Sequence, residues 1–163
     1  MQDHTSSNTA ANIAERLNAL GLELPAASAP AAKYVPVVIS GKMLFTSGQL
    51  PLKGGKLTSI GLLGRDISIE EGQDAAKWSA MNVLAHANAA AGGLENIKKL
   101  VKITVFVAST ADFTQQHIVA NGGSELFFAV LGDSVGAHAR SAVGMASLPL
   151  NAPVEIEAVF ELK

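Results

Sequence analysis

Residues 100–109, LVKITVFVAS, constrain the fold more than any other stretch of the chain. Val101, Ile103, Val105 and Val107 alternate with Lys102, Thr104 and Phe106, the period-two pattern of a β-strand. Apolar residues stand on both sides of the run, so it belongs inside a sheet whose two faces both need cover. Whatever surrounds this strand must supply neighbours on its edges and helices or another surface on its faces.

The flanking segments supply them. YVPVVIS (34–40) and MLFTSGQ (43–49) read as strands joined through Gly41-Lys42, a hairpin candidate. Pro36 confines the first of these to an edge or a bulge, because proline donates no ladder hydrogen bond. Ser68 and Glu71 form an S-x-x-E capping box, which opens an alanine-rich helix over 69–91. Along it Trp78, Met81 and Leu84, with Ala75 and Ala85, recur at three and four, and Gly92-Gly93 end it. Trp78 reads as a core anchor rather than a stacking platform for a ligand.

Residues 112–131 are again helical in pattern, but Asn121-Gly122-Gly123 interrupt them. Two glycines inside one helix cost about 2 kcal/mol relative to alanine, which predicts a break and a restart capped by Ser124. Two last strands, roughly 140–147 and 153–161, turn through LPLNAP.

Ahead of all this, MQDHTSS is polar and expected to fray. NTAANIAERLNALG (8–21) reads as a short helix capped by Asn8, with Ile13, Leu17 and Leu20 on one stripe and Gly21 at its stop. LPAASAPAA is a connector, and LKGGKLTSIGLLG (52–64) a flexible one without the spacing of a phosphate-binding loop. The element order is thus β-β-α-β-α-β-β after a short N-terminal helix, an α+β fold with two helices on one face of a mixed sheet. Hairpins at both ends imply antiparallel pairs, and an apolar second sheet face implies self-association.

Composition narrows the chemistry. At 163 residues, 48% hydrophobic and 16% charged, the chain reads as one globular domain. Its net charge of −2 and the absence of any Lys/Arg run beyond Lys98-Lys99 give a phosphate backbone no global attraction, so nucleic acid is not the expected partner. There is no cysteine, hence no disulfide, thiolate nucleophile or thiolate metal site. No segment approaches the roughly 20 apolar residues of a membrane span, and no secretory signal opens the chain, so a cytoplasmic location is expected.

Of the four histidines, His4, His86, His117 and His138, no pair has metal-ligand spacing, and a lone His86 reads as packing or surface. TSG at 46–48 is not G-x-S-x-G, so Ser47 is not read as a nucleophile. Arg140 stands out, because it follows the loop GDSVGAHA and heads a strand of small and apolar residues. A guanidinium there offers a planar fork suited to a carboxylate. Glu155 begins the next strand, and a hairpin would bring it into the same region. By spacing alone, the two are either a weak cross-strand ion pair, worth under about 1 kcal/mol, or a working pair.

TSGQLP (46–51), VKITVFVAS with ADF (101–113), and ARSAVGMASLP with VEIEAV (139–159) resemble the reactive-intermediate deaminase family, also called the YjgF or L-PSP endoribonuclease family. The likeness covers roughly 24–163, leaving 1–23 as an N-terminal extension, and the extra residues around 114–120 and 129–138 resemble a longer-chain branch. The resemblance implies a chorismate-mutase-like fold assembled as a homotrimer, with sites in the clefts between subunits and no metal or organic cofactor.

It further implies that Arg140 binds the substrate carboxylate and Glu155 handles the attacking water. Tyr34, Ser47, Gly48 and Asn121 complete the site. The implied activity is hydrolysis of 2-imino and 2-enamino acids, such as 2-aminoacrylate or 2-iminopropanoate, to 2-oxo acids and ammonia. The alternatives are an endoribonuclease that inhibits translation and a non-catalytic module for small carboxylates. Ala142 and His138 depart from the family pattern, standing where members commonly carry cysteine and proline. His138 would narrow the cleft, add a proton donor, or simply face solvent, and solvent is the reading favoured here.

Overall fold

Five strands form one sheet in the order 37–40, 43–46, 154–162, 97–108 and 139–145, numbered β1, β2, β7, β5 and β6. The computed structural model describes residues 4–29 and 32–163, residues 4–11 by their backbone alone. β1 (Val37–Ser40) and β2 (Met43–Thr46) form the expected hairpin, with Gly41 between them at φ 60°. β1 is an edge strand and begins after Pro36, so the proline takes no place in the ladder.

The loop expected to be flexible contains a second, small hairpin. β3 (Leu52–Lys53) pairs with β4 (Lys56–Leu57) across Gly54-Gly55, whose φ of 58° and 79° suit the left-handed turn that glycine enters freely. α2 (Ile69–Ala91) follows. Ser68 Oγ accepts from the Glu71 N–H, the Glu71 carboxylate accepts from the Ser68 N–H, and Gly92 closes the helix in the left-handed region. Trp78 is half-buried and packs on the edge of the core, with Lys53 Nζ 4.9 Å from its ring centroid.

β5 (Ile97–Ala108) is the central strand, and it corrects the alternation read from the sequence. A bulge between Leu100 and Lys102 shifts the register, so Leu100 points into the core and Val101 lies exposed. Beyond the bulge Ile103, Val105 and Val107 are buried as expected.

The larger correction concerns the end of the chain. β6 (Ala139–Met145) and β7 (Val154–Leu162) do not form a hairpin, because β5 lies between them. β6 runs parallel to β5, and β7 runs antiparallel to it. The reason is the long connection between β5 and β6, which contains α3 (Gln116–Leu131) and α4 (Asp133–Gly136). A strand returning after a helical crossover of this length adds parallel to its predecessor. LPLNAP then carries the chain past β5, with Leu150 and Asn151 at φ 58° and 59°.

α3 is continuous through Gly122-Gly123, where a break was expected, and Ser124 lies inside it. Contact explains why the local cost is accepted. A Cβ on Gly122 would overlap the Gln73 carbonyl of α2, and one on Gly123 would sit 2.8 Å from Ile156 Cδ1 of β7. The two glycines let α3 lie against α2 and the sheet. Gly122→Ala is therefore expected to destabilise the protein by about 2–3 kcal/mol despite alanine's better helix propensity, read as a lowered Tm in calorimetry.

α1 (His4–Ala19) includes residues 4–7, where fraying was expected, and Asn8 lies within it rather than at its cap. Residues 1–3 of that expected segment lie outside the described residues. Ile13 and Leu17 are buried in the main core, whereas Leu20 is exposed. Gly21 ends the helix at φ 63°, and the Leu22 N–H closes back on the Leu17 carbonyl.

α2 and α3 cover one sheet face, where Leu44, Ile103, Val105, Ile156 and Phe160 are fully buried. Val38, Phe45 and Val143 lie on the opposite face, where no helix of the described residues packs, and are 51%, 41% and 39% exposed. No helix among the described residues is long and apolar enough to cross a membrane.

Candidate functional site

The register decides where the two charges of the last strands lie. Arg140 pairs with Ile103, whose side chain is fully buried beneath the helices, so Arg140 is on the helix-covered face. Glu155 pairs with Phe106, one of the residues alternating with buried Val105 and Val107, and so is on the opposite face. Ile103 also pairs with Ala158, three residues beyond Glu155. Two strand spacings and three residues put their Cα atoms roughly 14 Å apart. Within one chain they are neither an ion pair nor a common site, contrary to the hairpin expectation.

Each charge instead organises its own cluster. Arg140 Nη1 donates to Asn121 Oδ1 at 3.0 Å and to Ser124 Oγ at 3.1 Å, while Nη2 donates to the His117 carbonyl at 3.1 Å. All three acceptors are on α3, and its unbroken course past the two glycines is what sets them in one row. A guanidinium has five N–H donors. With three engaged among the described residues, Nε–H and one N–H of Nη2 remain; with the Nη1-side proton of Nη2 turned to His117, the two free donors share the edge that grips a carboxylate with two hydrogen bonds.

His138 belongs to the same cluster rather than to solvent. Its Nδ1 is 2.6 Å from the Gly136 carbonyl and its Nε2 is 3.0 Å from Ser124 Oγ. The ring lies between Phe127 and Phe128, at centroid distances of 6.0 and 5.5 Å. Ala142 is on the same strand face two residues beyond Arg140 and packs against the core.

A second group centres on Gly48, which lies against Glu155 and lines a cavity with Tyr34. Ser47 follows β2, and its hydroxyl donates to the Val35 carbonyl at 2.8 Å, tying the TSGQ segment to the chain beside Tyr34. Gln49 exchanges two backbone hydrogen bonds with Ile156, which brings Gly48 against Glu155. A Cβ on Gly48 would overlap the Glu155 carboxyl group, so only glycine leaves that carboxyl its place. Tyr34, Gly48 and Gln49 line a cavity of about 190 Å³ with Ser28, His86 and Leu150. His86, expected as packing or surface, is 4% exposed, lies 3.4 Å from Ser28 Oγ, and is held neutral by burial, which pushes its pKa down.

Burial pushes the Glu155 pKa up, and the like charge of Glu157 two residues along the same strand face adds to the rise. Were Glu155 to act on water it would do so ionised, and kcat/KM would then fall as pH drops through this raised value. Glu157→Gln removes the neighbouring negative charge and moves that acid limb to lower pH, as a pH–rate profile would record. A limb unmoved by the substitution would exclude Glu155 as its source.

Sequence reasoning missed Ser124 as a partner of Arg140, because its place after two glycines reads as a cap. It also missed the His117 carbonyl, which carries no side-chain signal. Among the described residues no three His, Cys, Asp or Glu side chains are grouped to hold a metal ion.

Comparison with known proteins agrees with this architecture. The model of the YjgF/chorismate mutase-like family, whose description also names an endoribonuclease, matches residues 14–162. Protein TCP17 of Trypanosoma cruzi is 49% identical over 152 residues, which span 92% of this chain and 94% of that protein. The 2-iminobutanoate/2-iminopropanoate deaminase of Salmonella typhimurium is 37% identical over 134 residues, 81% of this chain and 91% of that enzyme. The crystal structure of Atu1372 from Agrobacterium tumefaciens, described as of unknown function, superposes with a TM-score of 0.89 at 47% identity, covering 96% and 97% of the two chains. The chain belongs to the YjgF/chorismate mutase-like family, which includes imine deaminases.

Proposed function

We propose that this protein is an imine/enamine deaminase that hydrolyses 2-imino and 2-enamino acids to 2-oxo acids and ammonia. The observation that carries this reading is Arg140, held by Asn121, Ser124 and the His117 carbonyl with one two-donor edge left free. That edge takes the substrate carboxylate and fixes the adjacent C2 atom in space. Glu155 accepts a proton from water as the water oxygen bonds to C2, and the electron pair of the C=N bond moves to nitrogen. Nitrogen takes up the proton held by Glu155 and then the hydroxyl proton as the C2–N bond breaks, so ammonia leaves and the 2-oxo acid remains. The imine is already electrophilic, so positioning and proton transfer carry the catalysis.

Arg140 and Glu155 lie too far apart to meet in one chain, so they meet across subunits. The Arg140 cluster of one protomer faces the Tyr34, Gly48 and Glu155 cluster of its neighbour in a homotrimer. The exposed apolar face with Val38, Phe45 and Val143 supports such an assembly. An amino-acid oxidase generating imines from a panel of amino acids tests the proposal. Wild-type protein accelerates 2-oxo acid formation and Arg140→Ala does not. No acceleration with any amino acid, or RNA degradation by repurified protein that survives Arg140→Ala, would overturn it.

A further inference from the structure

The protons around His138 are fixed by their partners. Nδ1 faces the Gly136 carbonyl at 2.6 Å, and a carbonyl only accepts, so Nδ1 carries the proton of the neutral ring. Nε2 is then bare, and at 3.0 Å it accepts from the Ser124 hydroxyl. With its proton committed to His138, Ser124 Oγ presents its lone pairs to Arg140 Nη1 at 3.1 Å. Donation therefore runs one way, from the guanidinium through Ser124 and His138 to the Gly136 carbonyl. The charged groups that bear on the ring are Arg140 on β6 and Lys99 on β5. Burial, aided by these two cations and opposed by the hydrogen bond to Gly136, holds its pKa below the ordinary imidazole value, so Nε2 stays an acceptor at neutral pH.

We propose that His138 is a positioning residue for Arg140, acting through Ser124 to fix the guanidinium plane and hence the affinity of the site for carboxylates. This rests on reading Arg140 as the carboxylate grip. Without the acceptor at Nε2, the Ser124 hydroxyl is free to rotate toward the carbonyls of its own helix, and the oxygen that holds Nη1 loses its orientation. His138 lies behind the engaged edge of the guanidinium and touches no substrate, so its loss weakens binding more than chemistry.

Two substitutions separate positioning from packing. His138→Phe keeps a ring between Phe127 and Phe128 but offers Ser124 no acceptor. His138→Gln gives up the ring but places an amide oxygen within reach of Ser124. The probe is pyruvate, a 2-oxo acid carrying the relevant carboxylate, titrated by calorimetry, with KM and kcat measured beside it.

His138→Phe is expected to weaken pyruvate binding and raise KM about tenfold with kcat within about twofold, and His138→Gln to stay within about threefold of wild type. The reverse order, phenylalanine like wild type and glutamine impaired, overturns the inference and leaves a packing role. Ser124→Ala, which leaves the ring untouched, should reproduce the phenylalanine variant, and wild-type binding by it also overturns the inference. Arg140→Ala is the separate control. Unchanged pyruvate binding there refutes the carboxylate grip itself, whereas lost binding there with a wild-type His138→Phe refutes only His138.

Discussion

Arg140→Ala is expected to lower kcat/KM for 2-imino acids by about 10²–10³-fold while leaving the fold intact. A carboxylate held by two N–H donors of one guanidinium contributes about 3–4 kcal/mol once partly removed from water, which is the free-energy equivalent of that loss. The side chain is half-buried and its three internal acceptors are hydroxyl, amide and carbonyl oxygens rather than carboxylates. Its removal therefore strands no buried charge, and Tm should fall by only a few degrees.

Arg140→Lys is the sharper variant. A lysine keeps the charge, but its ammonium cannot reach Asn121, Ser124 and the His117 carbonyl while presenting a flat two-donor edge. It should recover less than a tenth of wild-type kcat/KM. A lysine variant with near-wild-type kinetics would mean that charge alone suffices and that the planar geometry has no role.

The elements that sequence periodicity can specify are those whose stability is local. The hairpin at Gly41, the capped helix at Ser68 and the β5 strand are each present. What escaped depends on contacts between segments distant in the chain. Asn121-Gly122-Gly123 reads as a helix break because the cost of glycine is local, whereas the compensation, close approach to Gln73 and Ile156, comes from α2 and β7. The β5 bulge reverses the roles of Leu100 and Val101, and two adjacent apolar residues hold no information on which will turn inward.

The placing of β6 shows the same limit in the candidate site. LPLNAP looks like a hairpin turn, and only the crossover through α3 reveals that β5 must stand between the last two strands. The sequence singles out Arg140, Asn121, Tyr34, Ser47, Gly48 and Glu155 as candidates, but it draws Arg140 and Glu155 into one region and does not reveal that they lie on opposite sheet faces. Nor does it place His138, because a histidine before a strand reads as exposed until two phenylalanines and a serine from α3 are seen around it.

That separation carries the most discriminating expectation. Arg140→Ala and Glu155→Ala chains, each inactive alone, should regain activity when co-refolded into mixed oligomers. If every cleft joins the Arg140 side of one protomer to the Glu155 side of the next, an equal mixture has an intact Arg140 half the time and an intact Glu155 half the time, independently. About a quarter of the clefts are then wild type in both halves, and kcat per site should recover to about a quarter with KM unchanged. A site confined to one chain gives no recovery at any mixing ratio, since every chain lacks one of the two residues. Native mass spectrometry shows whether mixed oligomers have formed. Their presence without activity would place Arg140 and Glu155 in separate functions and remove the hydrolytic role of the pair, whereas recovery near a quarter requires that the two sheet faces of neighbouring subunits close on one substrate.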